Sequence, residues 1–130
     1  MSFKKVRNAH QTENTEDYLE LIADLLNQNG EARIVDIAEK LDIAQATASK
    51  TVKRLYAQGY IKKEPYRSIF LTLKGQIIAS KSKKRHKTVY EFLKNLGLDD
   101  HTASADSEGI EHHVSDKTLI KMEKFNKSKK

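Results

Sequence analysis

Apolar residues recur at helical spacing through most of the chain. From Glu16 to about Asn29, Leu19, Ile22, Leu25 and Leu26 fall on one face, with Thr15 placed as N-cap and Asn29-Gly30 as the stop. A second, shorter helix is predicted from Ile34 to Leu41, where Ile34, Ile37, Ala38 and Leu41 share a face, and Asp42-Ile43-Ala44 then makes a tight break. The third, from about Gln45 to Gln58, turns Ala48, Val52 and Leu55 inward and is stopped by Gly59. Ala44 stands where a Ser or Thr would cap this helix, so a frayed start is expected, with Asp42 capping slightly earlier. The period then changes. Tyr60 to Glu64 and Ser68 to Thr72 read as a two-stranded ribbon around a turn near Pro65-Tyr66-Arg67. Three helices followed by a ribbon is the order of a winged helix-turn-helix.

From Lys74 helical patterning resumes in one long helix through Ile77, Ile78, His86, Val89, Phe92, Leu93 and Leu96, closed by Gly97. Asp99 or Asp100 caps a helix running toward His113, and Ser115-Asp116 caps a last one through Leu119, Ile120 and Met122 to Phe125. The expected organisation is a flexible basic arm (1–14), a winged helix-turn-helix (15–73), an all-helical domain (74–126) and a basic tail (127–130). The fold class is mainly α. Ile77, Val89, Leu93 and Leu119 are the apolar positions expected to pair two copies of the helical half.

Composition narrows the function. At 130 residues, with 38% hydrophobic and 32% charged residues, the chain is expected to be a cytoplasmic protein with a real core. No apolar run approaches the ~20 residues of a membrane span, and no apolar stretch follows the basic N-terminus as in a secretory signal. With no cysteine, disulfides, zinc ribbons and thiol catalysis drop out, and any metal must be held by O and N donors. The net charge of +6 favours an anionic partner.

The third helix fits double-stranded DNA as that partner. Gln45, Thr47, Ser49, Lys50, Lys53 and Arg54 offer donors and acceptors for base edges and phosphates, and a helix fits the major groove. Lys62, Lys63 and Arg67 on the ribbon would extend the contact to neighbouring phosphates. The bland reading is an amphipathic helix with a solvated face.

A second chemistry sits in Glu108-Gly109-Ile110-Glu111-His112-His113. On a helix, residues 108, 111 and 112 are spaced i, i+3 and i+4, which projects two carboxylates and an imidazole from one face. Such donors suit manganese or ferrous iron better than structural zinc. A solvated face that happens to carry Glu and His is the alternative. Asp17 and Glu20, spaced i, i+3 on the first helix, equally suit ordinary charges near a helix N-terminus. No zinc-protease HExxH, P-loop or nucleophile elbow occurs, and the matched Glu and Glu-x-x-His motifs of four-helix carboxylate enzymes are incomplete. The chain is therefore read as a non-enzyme, with a metal-independent winged-helix regulator and, more remotely, a carboxylate-bridged metalloenzyme as alternatives.

Glu16-Asp17-Tyr18-Leu19-Glu20, Arg85-His86 and Asp106-Ser107-Glu108-Gly109-Ile110-Glu111-His112-His113-Val114-Ser115 together resemble the manganese-responsive branch of the diphtheria-toxin-repressor-like metalloregulators. The resemblance spans about Thr15 to Phe125. It implies metal ligands at Asp17, Glu20, His86, Glu108, Glu111 and His112, forming a binuclear site. The iron-responsive branch resembles this chain with methionine at the position of Asp17 and cysteine at that of Glu108; hard oxygen donors here shift the expectation to Mn²⁺, with Fe²⁺ the other ion the set admits. Tyr90 stands one turn after His86 where that branch has an acid, which speaks against its ancillary site. His10, His101 and His113 match no ligand position. The implied protein is a homodimeric repressor of metal-uptake genes at a palindromic operator, in which metal fixes the spacing of two recognition helices.

Overall fold

The computed structural model describes residues 3–63 and 68–130, with side chains from Gln11 onward in the first helix. The chain divides into two compact units after Ser80.

The first unit begins with α1 (Phe3–Asn29), followed by α2 (Ile34–Leu41), α3 (Gln45–Ala57), β1 (Ile61–Lys63), β2 (Ile69–Leu71) and the start of α4 (Leu73–Asn95). Its core is the stripe read from the sequence: Leu19, Ile22, Ile37, Ala48, Val52 and Leu55 are buried together, with Ile61, Ile69 and Leu71 closing the ribbon side. The helix starts and stops follow local chemistry. Gly30 and Gly59 take left-handed backbone after α1 and α3, and Asp42 does so after α2 with φ 55°. Ala44 sits at the α3 N-cap without a side-chain cap; Asp42 terminates α2 and does not cap α3.

Two expectations about α1 are corrected. The helix starts at Phe3, so residues 3–14 are helical and not a flexible arm. Thr15 is consequently an interior, buried residue, and its hydroxyl accepts a hydrogen bond from Arg54 Nη1 at 3.0 Å instead of capping a helix. That long-range partner outweighs the local capping preference of Thr, which is worth only ~0.5–2 kcal/mol.

β1 and β2 pair antiparallel with Ile61 opposite Leu71 and Lys63 opposite Ile69. The ribbon edge is covered: Ile69 N donates to Ala32 O at 2.8 Å, satisfying the strand from the α1–α2 loop. The turn predicted near Pro65 lies outside the described residues. Where α4 starts, Gly75 lies against the Tyr60 carbonyl so closely that a Cβ there would stand 2.1 Å from the oxygen.

The second unit contains the rest of α4, α5 (Asp100–Ile110) and α6 (Asp116–Ser128). The tail is thus helical to Ser128, beyond the expected end near Phe125. Asp99 caps α5 by accepting from Thr102 N, and Ser115 caps α6 by accepting from Thr118 N, as their residue types predict. Val89, Leu93, Ala103 and Leu119 form this unit's own core. Three of the four positions expected to pair two copies (Val89, Leu93 and Leu119) are therefore used internally, and only Ile77, 49% exposed, remains on the surface. Periodicity identifies an apolar face without saying whether the same chain or another covers it. A polar knot locks α6 to α4: buried Asn126 donates to Thr88 O at 3.1 Å and accepts from Asn95 Nδ2 at 2.9 Å. Among the described residues no helix is long and apolar enough to cross a membrane.

Candidate metal centre and nucleic-acid interface

The back of α3 is fixed by Ala48, Val52 and Leu55, all fully buried, which leaves Gln45, Thr47, Lys50 and Lys53 exposed and Ser49 half-buried. The helix carries no acidic residue. Lys62 and Lys63 are exposed on β1, while Arg67 lies outside the described residues. This is a surface of the right width and sign for the major groove and its flanking phosphates. Arg54 is the exception among the basic residues of α3. Its guanidinium donates to Thr15 Oγ1, Asn14 Oδ1 and Gln58 Oε1, each at 3.0 Å, and so ties α3 to α1. The sequence reading places it on the DNA face; the structure shows its guanidinium, half-exposed, bonded within its own chain. A fork with five donors meets three acceptors already in place on its own chain.

On α1, Asp17 is exposed and Glu20 half-buried one turn later. Glu13, one turn before Asp17, offers a carboxylate oxygen within 4.8 Å of one on Asp17. Sequence reading missed Glu13. Its i, i+4 spacing to Asp17 was visible, but a helix begun at Glu16 left it in the arm.

In the second unit, α5 ends at Ile110, and Glu111, His112 and His113 form the turn that follows. Glu111 still has helical backbone, its amide bonded to Ser107 O, so it keeps the i+3 relation to Glu108, and the departure from the helix begins at His112, whose amide bonds Gly109 O. Glu108 stays exposed on α5 and makes no ion pair among the described residues, whereas Glu111 is only 3% exposed. Around that carboxylate the structure gathers two of the expected partners: His86 Nδ1 lies 3.0 Å from Oε2, and His112 Nε2 lies 3.2 Å from Oε1. Glu111 Oε2 is buried without an aligned hydrogen bond. A buried carboxylate oxygen in that state is costly, and a divalent cation is one of the few groups that compensates it. The donor set of carboxylate and imidazole without thiolate fits a hard or borderline divalent ion.

Tyr90, one turn after His86, stacks its ring parallel to the imidazole at 6.4 Å between centroids. Its hydroxyl donates to Asp100, which also pairs with Lys94 Nζ at 3.0 Å. The hydrogen bond from Tyr90, followed by that from Lys94, holds the Asp100 carboxyl below its ordinary range, and the same bond pushes the Tyr90 hydroxyl up. Tyr90 is therefore held by its own chain and offers no carboxylate beside His86.

Comparison with known proteins agrees with both halves. Residues 10–69 match the family described as iron dependent repressor, N-terminal DNA binding domain, and residues 72–130 match iron dependent repressor, metal binding and dimerisation domain. The transcriptional regulator MntR of Escherichia coli O157:H7 is 47% identical over 117 residues, covering 90% of this chain and 76% of that protein. The HTH-type transcriptional regulator MntR of Shouchella clausii is 41% identical over 104 residues, covering 80% of this chain and 73% of its own length. The solved structure of the manganese regulator SloR superposes with a TM-score of 0.76 at 32% identity over 85% of this chain; the chain spans 52% of that structure, about half its length. With a DNA-binding domain and a metal-binding and dimerisation domain matched over nearly its whole length, the chain belongs to the MntR-like branch of the diphtheria-toxin-repressor-like family of metal-dependent, DNA-binding transcriptional regulators.

Proposed function

We propose that the protein is a cytoplasmic, Mn²⁺-dependent homodimeric repressor of metal-uptake genes acting at a palindromic operator, with Fe²⁺ the competing ion. The observation that carries this reading is the buried Glu111 carboxylate flanked by His86 and His112. The ligands of a binuclear site are Asp17 and Glu20 on α1 and His86, Glu108, Glu111 and His112 in the second unit. Residues 15–73 are the DNA-binding part and 74–126 the metal-sensing and pairing part. Base and phosphate contacts come from Gln45, Thr47, Ser49, Lys50 and Lys53 on α3 and from Lys62, Lys63 and Arg67 on the ribbon, with Arg54 holding α3 in place.

The bound metal supplies positive charge among carboxylates that otherwise repel one another. His86 and His112 orient the Glu111 carboxylate, and Glu111 in turn fixes the two rings through its oxygens. Because the ligand set includes residues of both units, metal affinity and operator affinity are thermodynamically linked, and each raises the other by the same factor, typically ~5–150-fold. Mn²⁺ sits lowest in the affinity series of the divalent first-row metals, so selectivity comes from the oxygen-rich donors and from metal availability.

The test is duplex binding by fluorescence anisotropy with the promoter regions of the organism's own metal-transport genes, in Mn²⁺, Fe²⁺, Zn²⁺ and chelator. Tight binding in Mn²⁺ that is lost in chelator is expected. Equal affinity in both would overturn the reading.

A further inference from the structure

Charge is distributed against expectation. Residues 1–80, which include the recognition helix, hold 12 Lys and Arg against 10 Asp and Glu, whereas residues 81–130 hold 12 against 8. The unit assigned to metal binding and pairing is therefore the more cationic one. Its positive charge is concentrated where α4 lies beside α6.

Two adjoining depressions run along that helix pair. The first, of about 370 Å³, is flanked by Lys81, Lys84 and Arg85 on α4 and by Asp116, Ile120 and Glu123 on α6. The second, of about 300 Å³, shares Lys84 and Glu123 with the first and adds Lys87, Glu91, Lys127 and Lys130. Six cations thus face three anions along one continuous groove. From Lys81 to Glu91 it extends about 15 Å at ~1.5 Å rise per residue, enough for two or three successive phosphates of one strand. The acids do not neutralise it: the Lys84–Glu123 and Arg85–Asp116 pairs are long, at 3.8 and 3.6 Å, and the Lys84 and Asp116 side chains are 77% and 86% exposed, so these pairs exchange readily with a stronger anion.

We infer that the α4–α6 groove is a second nucleic-acid contact, which takes the phosphate backbone of double-stranded DNA and adds affinity without sequence information. The inference rests on the reading of the protein as a DNA-binding regulator. Among the described residues that line the groove there is no aromatic platform for unstacked bases, and all its cations but Lys130 sit on helix surfaces suited to a continuous backbone, so duplex DNA is the occupant that its charge and form fit.

The test uses the full chain with Mn²⁺, a mixed-sequence duplex long enough for two half-sites beside the promoter duplex that binds in Mn²⁺, and a salt titration. Each phosphate contact contributes a slope of ~0.9 to the dependence of log K on log salt. The variant K84Q/K87Q/K127Q is expected to bind more weakly and with a slope shallower by roughly two to three, and the single variant K87Q by roughly one. Relative affinity for operator over mixed sequence should stay the same. An unchanged slope in both variants overturns the inference while wild-type binding stands. A wild type that binds no duplex overturns the inference together with the functional reading beneath it. Retained duplex slope with lost binding to phosphatidylserine vesicles would assign the groove to a lipid surface and also overturn it.

Discussion

His86 Nδ1 on α4 lies 3.0 Å from Glu111 Oε2 in the turn after α5, while His112 approaches the other oxygen of the same carboxylate. One buried acid thus joins two imidazoles from different elements. Glu111 keeps helical backbone at the end of α5, its amide bonded to Ser107 O at 3.1 Å, and the chain turns only at His112.

Replacing Glu111 by Gln keeps the side-chain shape and removes the charge. Thermal melting of the wild type should rise with Mn²⁺, by about 2.7 kcal/mol of stability at a metal concentration 100 times Kd. E111Q should melt at the same temperature in Mn²⁺ and in chelator. A variant that retains the full metal-induced shift would remove Glu111 from the ligand set.

Arg54→Ala deletes three hydrogen bonds that tie α3 to α1 and to its own last turn. The expected cost is about 1–3 kcal/mol in urea unfolding, and Arg54→Lys should recover only part of it because a single ammonium cannot reproduce the fork. Unchanged stability with weakened DNA binding would return Arg54 to the DNA face.

Gly75→Ala should be among the more damaging single-methyl additions in the chain. The new Cβ would stand 2.1 Å from the Tyr60 carbonyl oxygen, a backbone atom that cannot rotate away, at the point where Thr72 receives the Gly75 amide at 3.2 Å. A loss of about 2 kcal/mol or more is expected in equilibrium unfolding. Gly109→Ala, where a Cβ meets nothing within 4 Å, is the matched control and should be close to neutral or mildly stabilising.

Ala44→Ser supplies the missing cap. Ala44 already has extended backbone at the α3 N-cap, φ −67° and ψ 146°, so a serine hydroxyl can reach the free amides of the first turn. Stability should rise by about 0.5–2 kcal/mol in the same assay. A neutral result would mean that water already satisfies those amides.

Acid should open the start of α5. The hydrogen bonds from Thr102 hold the Asp99 carboxyl below its ordinary range, so Asp99 contributes stability above its unfolded pKa and loses it as pH falls through the lowered folded one. In an NMR titration the Thr102 amide should move only below the ordinary Asp range near ~3.9. Movement above that range would contradict the cap.

Local chemistry was enough to place α2, α3, the ribbon and the caps at Asp99 and Ser115, because each is set by neighbours within a turn: an apolar stripe, a left-handed Asp42 or Gly59, a side chain facing a free amide. That Glu111 and His112 stand together as donors was legible for the same reason, since they are neighbours in the chain. What the sequence could not determine depended on contacts between distant residues. Thr15 was read as a cap because its neighbours permit one, and only the arrival of Arg54 from 39 positions away makes it an interior acceptor. Val89, Leu93 and Leu119 showed an apolar face, yet which surface covers that face is a property of how α4, α5 and α6 pack, not of any one helix. Nothing beside Gly75 in the sequence marks it; the Tyr60 carbonyl, 15 positions earlier, fills the space a side chain would need. Local free energies are set by the residues beside one another along the chain; burial and close approach are set by residues that only the tertiary structure brings together.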